Sequence, residues 1–173
     1  AEAAGRPMNV RRALEIAVQI ADAIADAHAA GFVHGGLSPE SIVISSKGRA
    51  KIPAFELASQ GGFDHDGREA RLHDYESPEE ANRQAPDDRS DIYSVGAILY
   101  EMLTGRRPMH RGASAPSASN PKVPKEIDGV VLKALAPNPA SRYQSAVGFA
   151  GELRASIAVL DQLGVAGEEE ELA

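Results

Sequence analysis

The side chains in this sequence that could do chemistry are few and scattered. There is no Cys, which excludes disulfides and thiolate nucleophiles. The five His, at 28, 34, 65, 73 and 110, stand singly, so no Cys/His cluster with metal-ligand spacing exists. His and carboxylates are the usual general acids and bases. His34 and Asp91 qualify by type, but both read as hydrogen-bonded structural residues. Asp64 and Asp66 could suggest a metal site; in a polar, Gly-containing stretch they read instead as a solvated acidic loop. Asp87-Asp88 precede an apolar run and suit the start of a helix through its macrodipole. The run Glu168 to Glu171 reads as a solvated tail. No cofactor and no metal are expected from these residues.

The elements that must position these groups are mainly helical. Asn9 is a suitable N-cap for a helix over 10–29, with Leu14, Ala17, Ala21, Ile24 and His28 along one stripe, Ile16 and Ile20 widening it, and Gly31 as the stop. Phe32-Val33-His34, Ser41 to Ile44 and Ala50 to Ile52 read as short strands, the last two joined by a turn at Ser46-Lys47-Gly48. Residues 58–73 lack any period and read as a long loop. Residues 90–104 are apolar on most faces, as a buried helix is, with Ser90 able to cap it and Gly105 ending it. A connector over 105–124 follows, then a helix over 125–136 closed by Pro137. The last helix, from about Ser145 to Leu163, has Val147, Ala150, Leu153, Ile157 and Leu160 as its inner stripe.

A chain of 173 residues and 18.2 kDa fits one domain. Residues 1–8 read as a flexible lead-in, 9–163 as the folded lobe, and 164–173 as an acidic disordered tail. The net charge is −7, and four of those charges sit in the Glu168–Glu171 run. This balance argues against a non-specific nucleic-acid binder, although it leaves room for a local basic patch. No apolar run approaches the roughly 20 residues of a membrane span, so no membrane insertion is expected, and a cytoplasmic location is.

Three local strings go further. The first is His34-Gly35-Gly36-Leu37-Ser38-Pro39-Glu40-Ser41-Ile42. The second is Lys51-Ile52-Pro53-Ala54-Phe55-Glu56-Leu57-Ala58. The third is Tyr75-Glu76-Ser77-Pro78-Glu79, followed by Asp91-Ile92-Tyr93-Ser94-Val95-Gly96 and Leu99 to Gly105. Pro139-Ala140-Ser141-Arg142-Tyr143 stands near the end. In this order and spacing they resemble the C-terminal lobe of a bacterial-type Ser/Thr protein kinase, over about residues 7–160. The resemblance implies a catalytic loop, a magnesium-binding strand and turn, the end of an activation segment, and the central buried helix. The fold class it implies is mainly α (α+β), a helical lobe with one or two small β-hairpins. The abundance of Arg over Lys fits a bacterial source.

Departures from the family pattern are concentrated in its charged groups, and phosphoryl transfer depends on such charges. Where the family has H-R-D-L-K-P-E-N, the base position is Gly36, the Lys position is Ser38, the metal-binding Asn position is Ser41 and the Arg position is Gly35. In the D-F-G string the metal-binding Asp is Ala54 and the Gly is Glu56. No G-x-G-x-x-G string is present, and the N-lobe is expected to be absent. Against the resemblance these losses imply a pseudokinase, a chain that is not an enzyme and binds no ATP–magnesium. Glu40 as a displaced base is disfavoured, because this position faces away from the chemistry in the family. What the resemblance retains is structural. His34 and Phe55 occupy positions of an internal apolar stack, Asp91 accepts backbone N–H bonds from the catalytic loop, and Glu79 pairs with Arg142. The function expected is a protein-binding or regulatory module. Its partner, a protein or a second copy, would sit on an upper face around Phe55 and Leu57 left uncovered by an N-lobe. The connector 105–124 is expected to lack the family's extra surface helix. The alternative is the C-terminal part of a larger kinase-like protein that retains nucleotide binding.

Overall fold

The computed structural model describes residues 5–53, 74–108 and 112–164. Helix α1, Val10–Ala29, opens with the Asn9 side chain accepting from the Arg12 N–H at 3.1 Å. Its buried face carries Leu14, Ile16, Ala17, Ile20, Ala21 and Ile24. Fully burying one such Leu or Ile is worth about 1.5–3 kcal/mol, so this stripe sets how α1 packs. It lies against the last helix and against the central one.

The hairpin follows. Strands β1, Val43–Ile44, and β2, Ala50–Lys51, pair antiparallel with Val43 opposite Lys51 and Ile44 opposite Ala50. Gly48 at the turn has φ +72°, a left-handed conformation that glycine adopts without a Cβ clash. A two-stranded hairpin is marginal by itself, and α1 holds this one. Gln19 Oε1 accepts from Ala50 N–H at 2.8 Å, and Arg12 donates to the Gly48 carbonyl at 2.6 Å. The expected strand Phe32-Val33-His34 does not form. Its N–H groups are spent elsewhere: Phe32 donates to Ala27 O at 2.9 Å and His34 to the Asp91 carboxylate at 2.8 Å.

A four-residue helix α2, Pro78–Ala81, comes before the central helix α3, Asp88–Thr104. In α3 every residue from Ser90 to Tyr100 is buried. The cap is Asp87 and not Ser90, which corrects the sequence expectation. Asp87 accepts from Arg89 N–H at 2.8 Å, while the Ser90 hydroxyl accepts from Asp87 N–H at 3.1 Å and so closes a capping box from inside the helix. Gly105, at φ +69°, ends α3.

The connector holds a short helix α4, Pro116–Ser119, whose Ser117 donates from both N–H and hydroxyl to Asp128, at 2.8 and 2.6 Å. Helix α5, Lys125–Ala134, then packs on α3. The contact is close because Gly96 has no side chain: a Cβ there would lie 2.8 Å from Ala134 Cβ. Helix α6, Ala146–Gln162, is capped by Ser145 and closes the lobe over α1. Its inner face keeps Ala150, Leu153 and Leu160 of the expected stripe, with Ile157 partly buried, and departs from it at Val147. Ala146, Phe149, Ala150, Leu153, Ser156 and Leu160 are buried, whereas Val147 is 70% exposed. Ala146 and Phe149 set the phase, and Val147 falls one residue round the helix from that face.

Among the described residues, no helix is long and apolar enough to cross a membrane.

Candidate functional site

The segment after α1 is held by one carboxylate. Asp91, in the first turns of α3 and 1% exposed, accepts from the backbone N–H of His34 at 2.8 Å and of Gly35 at 2.9 Å. Its third partner is His28 Nε2 at 2.7 Å, from the last turn of α1. Hydrogen bonds to an ionised acceptor are roughly twice as strong as neutral ones, so Asp91 fixes the loop's position against two helices. Gly35 and Gly36 follow with φ +55° and +97°, a path that side chains with a Cβ resist. A Cβ on Gly35 would also lie 3.0 Å from Pro86. Leu37 is then buried and anchors the loop before the turn Pro39–Ser41.

Their surroundings shift the pKa values of the two histidines at this site in opposite directions. Burial pushes His28 down, but the hydrogen bond and charge of Asp91, with Asp88 and Asp87 beyond, outweigh it and leave its pKa raised. Burial dominates at His34, whose pKa is lowered despite the charge of Asp91.

A second fixed point is Glu79 with Arg142. The guanidinium donates to both carboxylate oxygens, at 2.6 and 2.8 Å. Its other donors reach the carbonyls of Ala136, Pro137 and Arg89 at 2.7, 3.1 and 3.0 Å. The Ser90 hydroxyl donates to Glu79 at 2.8 Å, so this pair is tied to the start of α3. Beside it, Ser77 and Glu80 cap α2 reciprocally. Burial raises the Glu80 pKa, with hydrogen bonds from Ser77 opposing it.

The structure therefore brings His34, Gly35 and Asp91 together, and separately Glu79, Ser90 and Arg142. Gly36 lies in the loop held by Asp91, with open space where a Cβ would point. The Ser38 hydroxyl is buried with no hydrogen-bond partner among the described residues. Ser41 Oγ accepts from Ser38 N–H at 3.4 Å, and Glu40 is exposed. Ala54, Phe55, Glu56, Leu57, Asp64 and Asp66 lie outside the described residues, as do His65, His73, His110 and Glu168–Glu171. Among the described residues no three His, Cys, Asp or Glu side chains are grouped to hold a metal ion.

Sequence reasoning placed His28 on a helix stripe without a role. A polar ring on an apolar face needs a partner, and that was the available signal. The hydrogen bond from Tyr75 to Glu101 had no comparable signal.

A helical lobe built on a buried central helix, with a loop strapped to that helix's first turn and a Glu–Arg pair tying the following segment beneath it, defines the C-terminal lobe of a protein kinase fold. The family model for the protein kinase domain matches residues 3–148, and the chain belongs to that family. It is 34% identical over 167 residues to the serine/threonine-protein kinase PrkC of Bacillus subtilis, covering 87% of this chain and 26% of that protein. It is 33% identical over 169 residues to PknB of Mycobacterium tuberculosis, with the same coverage of each. The crystal structure of the Mycobacterium tuberculosis PknI kinase domain superposes with a TM-score of 0.68 and 27% identity, over 87% of this chain and 57% of that one. The chain thus spans about a quarter of the length of these curated relatives.

These likenesses correct one expectation. The losses at Gly36, Ser38, Ser41 and Ala54 imply a chain that is not an enzyme, yet the relatives are named Ser/Thr protein kinases and the matching family is the kinase domain. Family membership points to an enzyme, and side chains missing from one lobe do not show that activity is missing.

Proposed function

We propose that this lobe serves as a protein-binding or regulatory module within a protein of the Ser/Thr kinase family. Support comes from apolar side chains left uncovered on either side of the loop that Asp91 fixes. Phe32, just before it, is 53% exposed, and Val43 and Ile44, just after it, are 51% and 45% exposed. Contiguous exposed apolar surface marks an interaction site, and these three side chains are the candidates for it. Phe55 and Leu57 continue the same stretch of sequence and belong to the proposed contact. The partner is a protein surface or a second copy of the chain.

Sedimentation of the wild type beside Val43→Glu and Leu57→Glu tests this reading. A dimer split by either charge supports it. A monomeric wild type is then mixed with the N-lobe of a family kinase, and unchanged hydrogen exchange in residues 42–52 overturns it.

A second reading rests on the coverage of the relatives. The lobe is the C-terminal part of a longer kinase whose upstream residues bind nucleotide. On this reading the longer parent chain, given ATP at 100 times its Kd, gains about 2.7 kcal/mol of stability, read as a rise in melting temperature.

A further inference from the structure

The junction between the end of α1 and the start of α3 carries a group that the partner-binding reading does not use. The His28 side chain is 7% exposed, and both its ring nitrogens face carboxylates. Nε2 donates to Asp91 Oδ2 at 2.7 Å, the same oxygen that accepts from His34 N–H. Nδ1 is buried with no hydrogen-bond partner among the described residues, and Asp88 Oδ1 lies 3.8 Å from it. A neutral imidazole has one N–H and one lone pair, whereas the imidazolium donates from both nitrogens. A ring with a carboxylate at each nitrogen is therefore satisfied at both only when charged. The charged groups that act on it are Asp91, Asp88 and Asp87, all on the α3 side. Arg89 is paired with Asp87. His34 on the loop and Glu80 on α2 feel the same Asp91 charge.

We propose that His28 is a proton-operated latch on the loop that begins at His34 and Gly35. With the ring charged, one buried cation ties the end of α1 to Asp91, and Asp91 holds the backbone of both loop residues. The two carboxylates differ in freedom. Asp91 is 1% exposed with both oxygens committed to donors, whereas the Asp88 side chain is 50% exposed. The proton therefore leaves from Nδ1, and Asp88 turns to water. Nε2–H stays on Asp91, but the attraction between opposite charges is gone and Nδ1 becomes a buried lone pair without a donor. Both changes disfavour the closed junction. Local openings of a protein are set by such small differences and need not involve the rest of the fold. The loop held by Asp91 then opens more readily as pH rises, while the hairpin, held by Gln19 and Arg12 of α1, does not respond. The latch does not depend on the partner-binding reading.

Two measurements on the full chain between pH 7 and 9 test the latch. The lowered pKa of His34 keeps that ring neutral in this window. Nitrogen NMR of the His28 ring should show a midpoint above 6.5, with the neutral ring keeping its hydrogen on Nε2. Hydrogen exchange at His34 and Gly35, divided by the rate of an unstructured chain, should lose protection over the same midpoint. The loss should reach up to about tenfold for each unit by which the midpoint exceeds 6.5. Ser45 N–H, bonded to Arg49 O in the hairpin, should keep its protection. Asp88→Asn, at a half-exposed position that leaves the fold intact, should lower the midpoint. His28→Gln should make protection at His34 and Gly35 independent of pH. A midpoint at or below 6.5, a neutral ring protonated on Nδ1, protection unchanged across the midpoint, or a wild-type midpoint in Asp88→Asn would each overturn the proposal.

Discussion

Arg142 and Glu79 meet fork to fork, with the arginine side chain 0% exposed and the glutamate side chain 11%. The guanidinium also lies over the Tyr93 ring at 4.9 Å, so it is enclosed on every side by the lobe. Removing one partner of such a pair leaves the other charge buried and uncompensated.

Glu79→Ala should therefore cost roughly 3–5 kcal/mol, the range for a broken buried pair, whereas an exposed pair would cost about 1 or less. The carbonyls that also accept from Arg142 satisfy its donors but not its charge. Denaturant unfolding with an unchanged m-value is the measurement. The same pair sets an acid limit. Burial opposes ionisation of Glu79, but the hydrogen bonds from Arg142 and Ser90 win and hold its pKa below the usual carboxylate range. A depressed folded-state pKa gives stability that is present above about 4.5, the unfolded value. That stability should fall as pH drops through the lower folded value, and Glu79→Gln should flatten the fall.

The link between His28 and Asp91 has the opposite sign. The His28 pKa is raised above its unfolded value of 6.5. Its contribution is then fully present below pH 6.5 and is lost as pH rises through the higher folded value. Unfolding measured between pH 5 and 9 should show stability declining above 6.5. His28→Gln keeps a hydrogen-bond donor without the charge, and it should remove the decline. The lowered pKa of His34 makes stability rise toward pH 6.5, so the test lies above 6.5, where a wild-type profile that does not fall would show that burial, and not Asp91, governs the His28 ring.

The long helices were legible in the sequence because their signals are local. Asn9 before a 3–4 apolar period is enough to fix α1, and an unbroken apolar run is enough for α3. Phase and termini depended on contacts that no local pattern carries. Ser90 looked like a cap, but Asp87 reaches the free N–H groups first and leaves Ser90 to bond Glu79. Val147 fits a helical stripe as well as Phe149 does, and only packing against the neighbouring helices selects the bulkier ring. Phe32–His34 has strand-like composition, yet its N–H groups are taken by Ala27 and Asp91. The Asp91 loop and the Glu79–Arg142 pair were visible only through family resemblance, because residues 57 and 63 positions apart carry no periodic signal.

The glycines of the helices divide by what surrounds them. Gly96→Ala would place its Cβ 2.8 Å from Ala134 Cβ. Neither helix backbone can yield cheaply, so the variant should lose about 1–3 kcal/mol, as overpacked cores do. Gly129 in α5 and Gly151 in α6 have nothing within 4 Å of a Cβ. Gly129→Ala and Gly151→Ala should each gain about 0.5–1 kcal/mol, because glycine weakens a helix interior by that amount. Thermal unfolding of the three variants decides between the two environments, and a neutral Gly96→Ala would mean that α3 and α5 are not in close contact.

The buried hydroxyl of Ser38 gives the last prediction. Its side-chain oxygen has no partner among the described residues, although the residue is 2% exposed. A buried polar atom without a hydrogen bond costs about 1–3 kcal/mol in lost hydration. Removing the hydroxyl removes that cost, while the turn Pro39–Ser41 keeps its backbone bond from Ser41 N–H to the Ser38 carbonyl at 2.9 Å. Ser38→Ala should therefore leave the lobe as stable or raise it by about 1 kcal/mol. Ser41→Ala, which deletes the acceptor for Ser38 N–H at 3.4 Å, should lower it. Both are read from denaturant midpoints. A destabilised Ser38→Ala would show that the hydroxyl is bonded in solution.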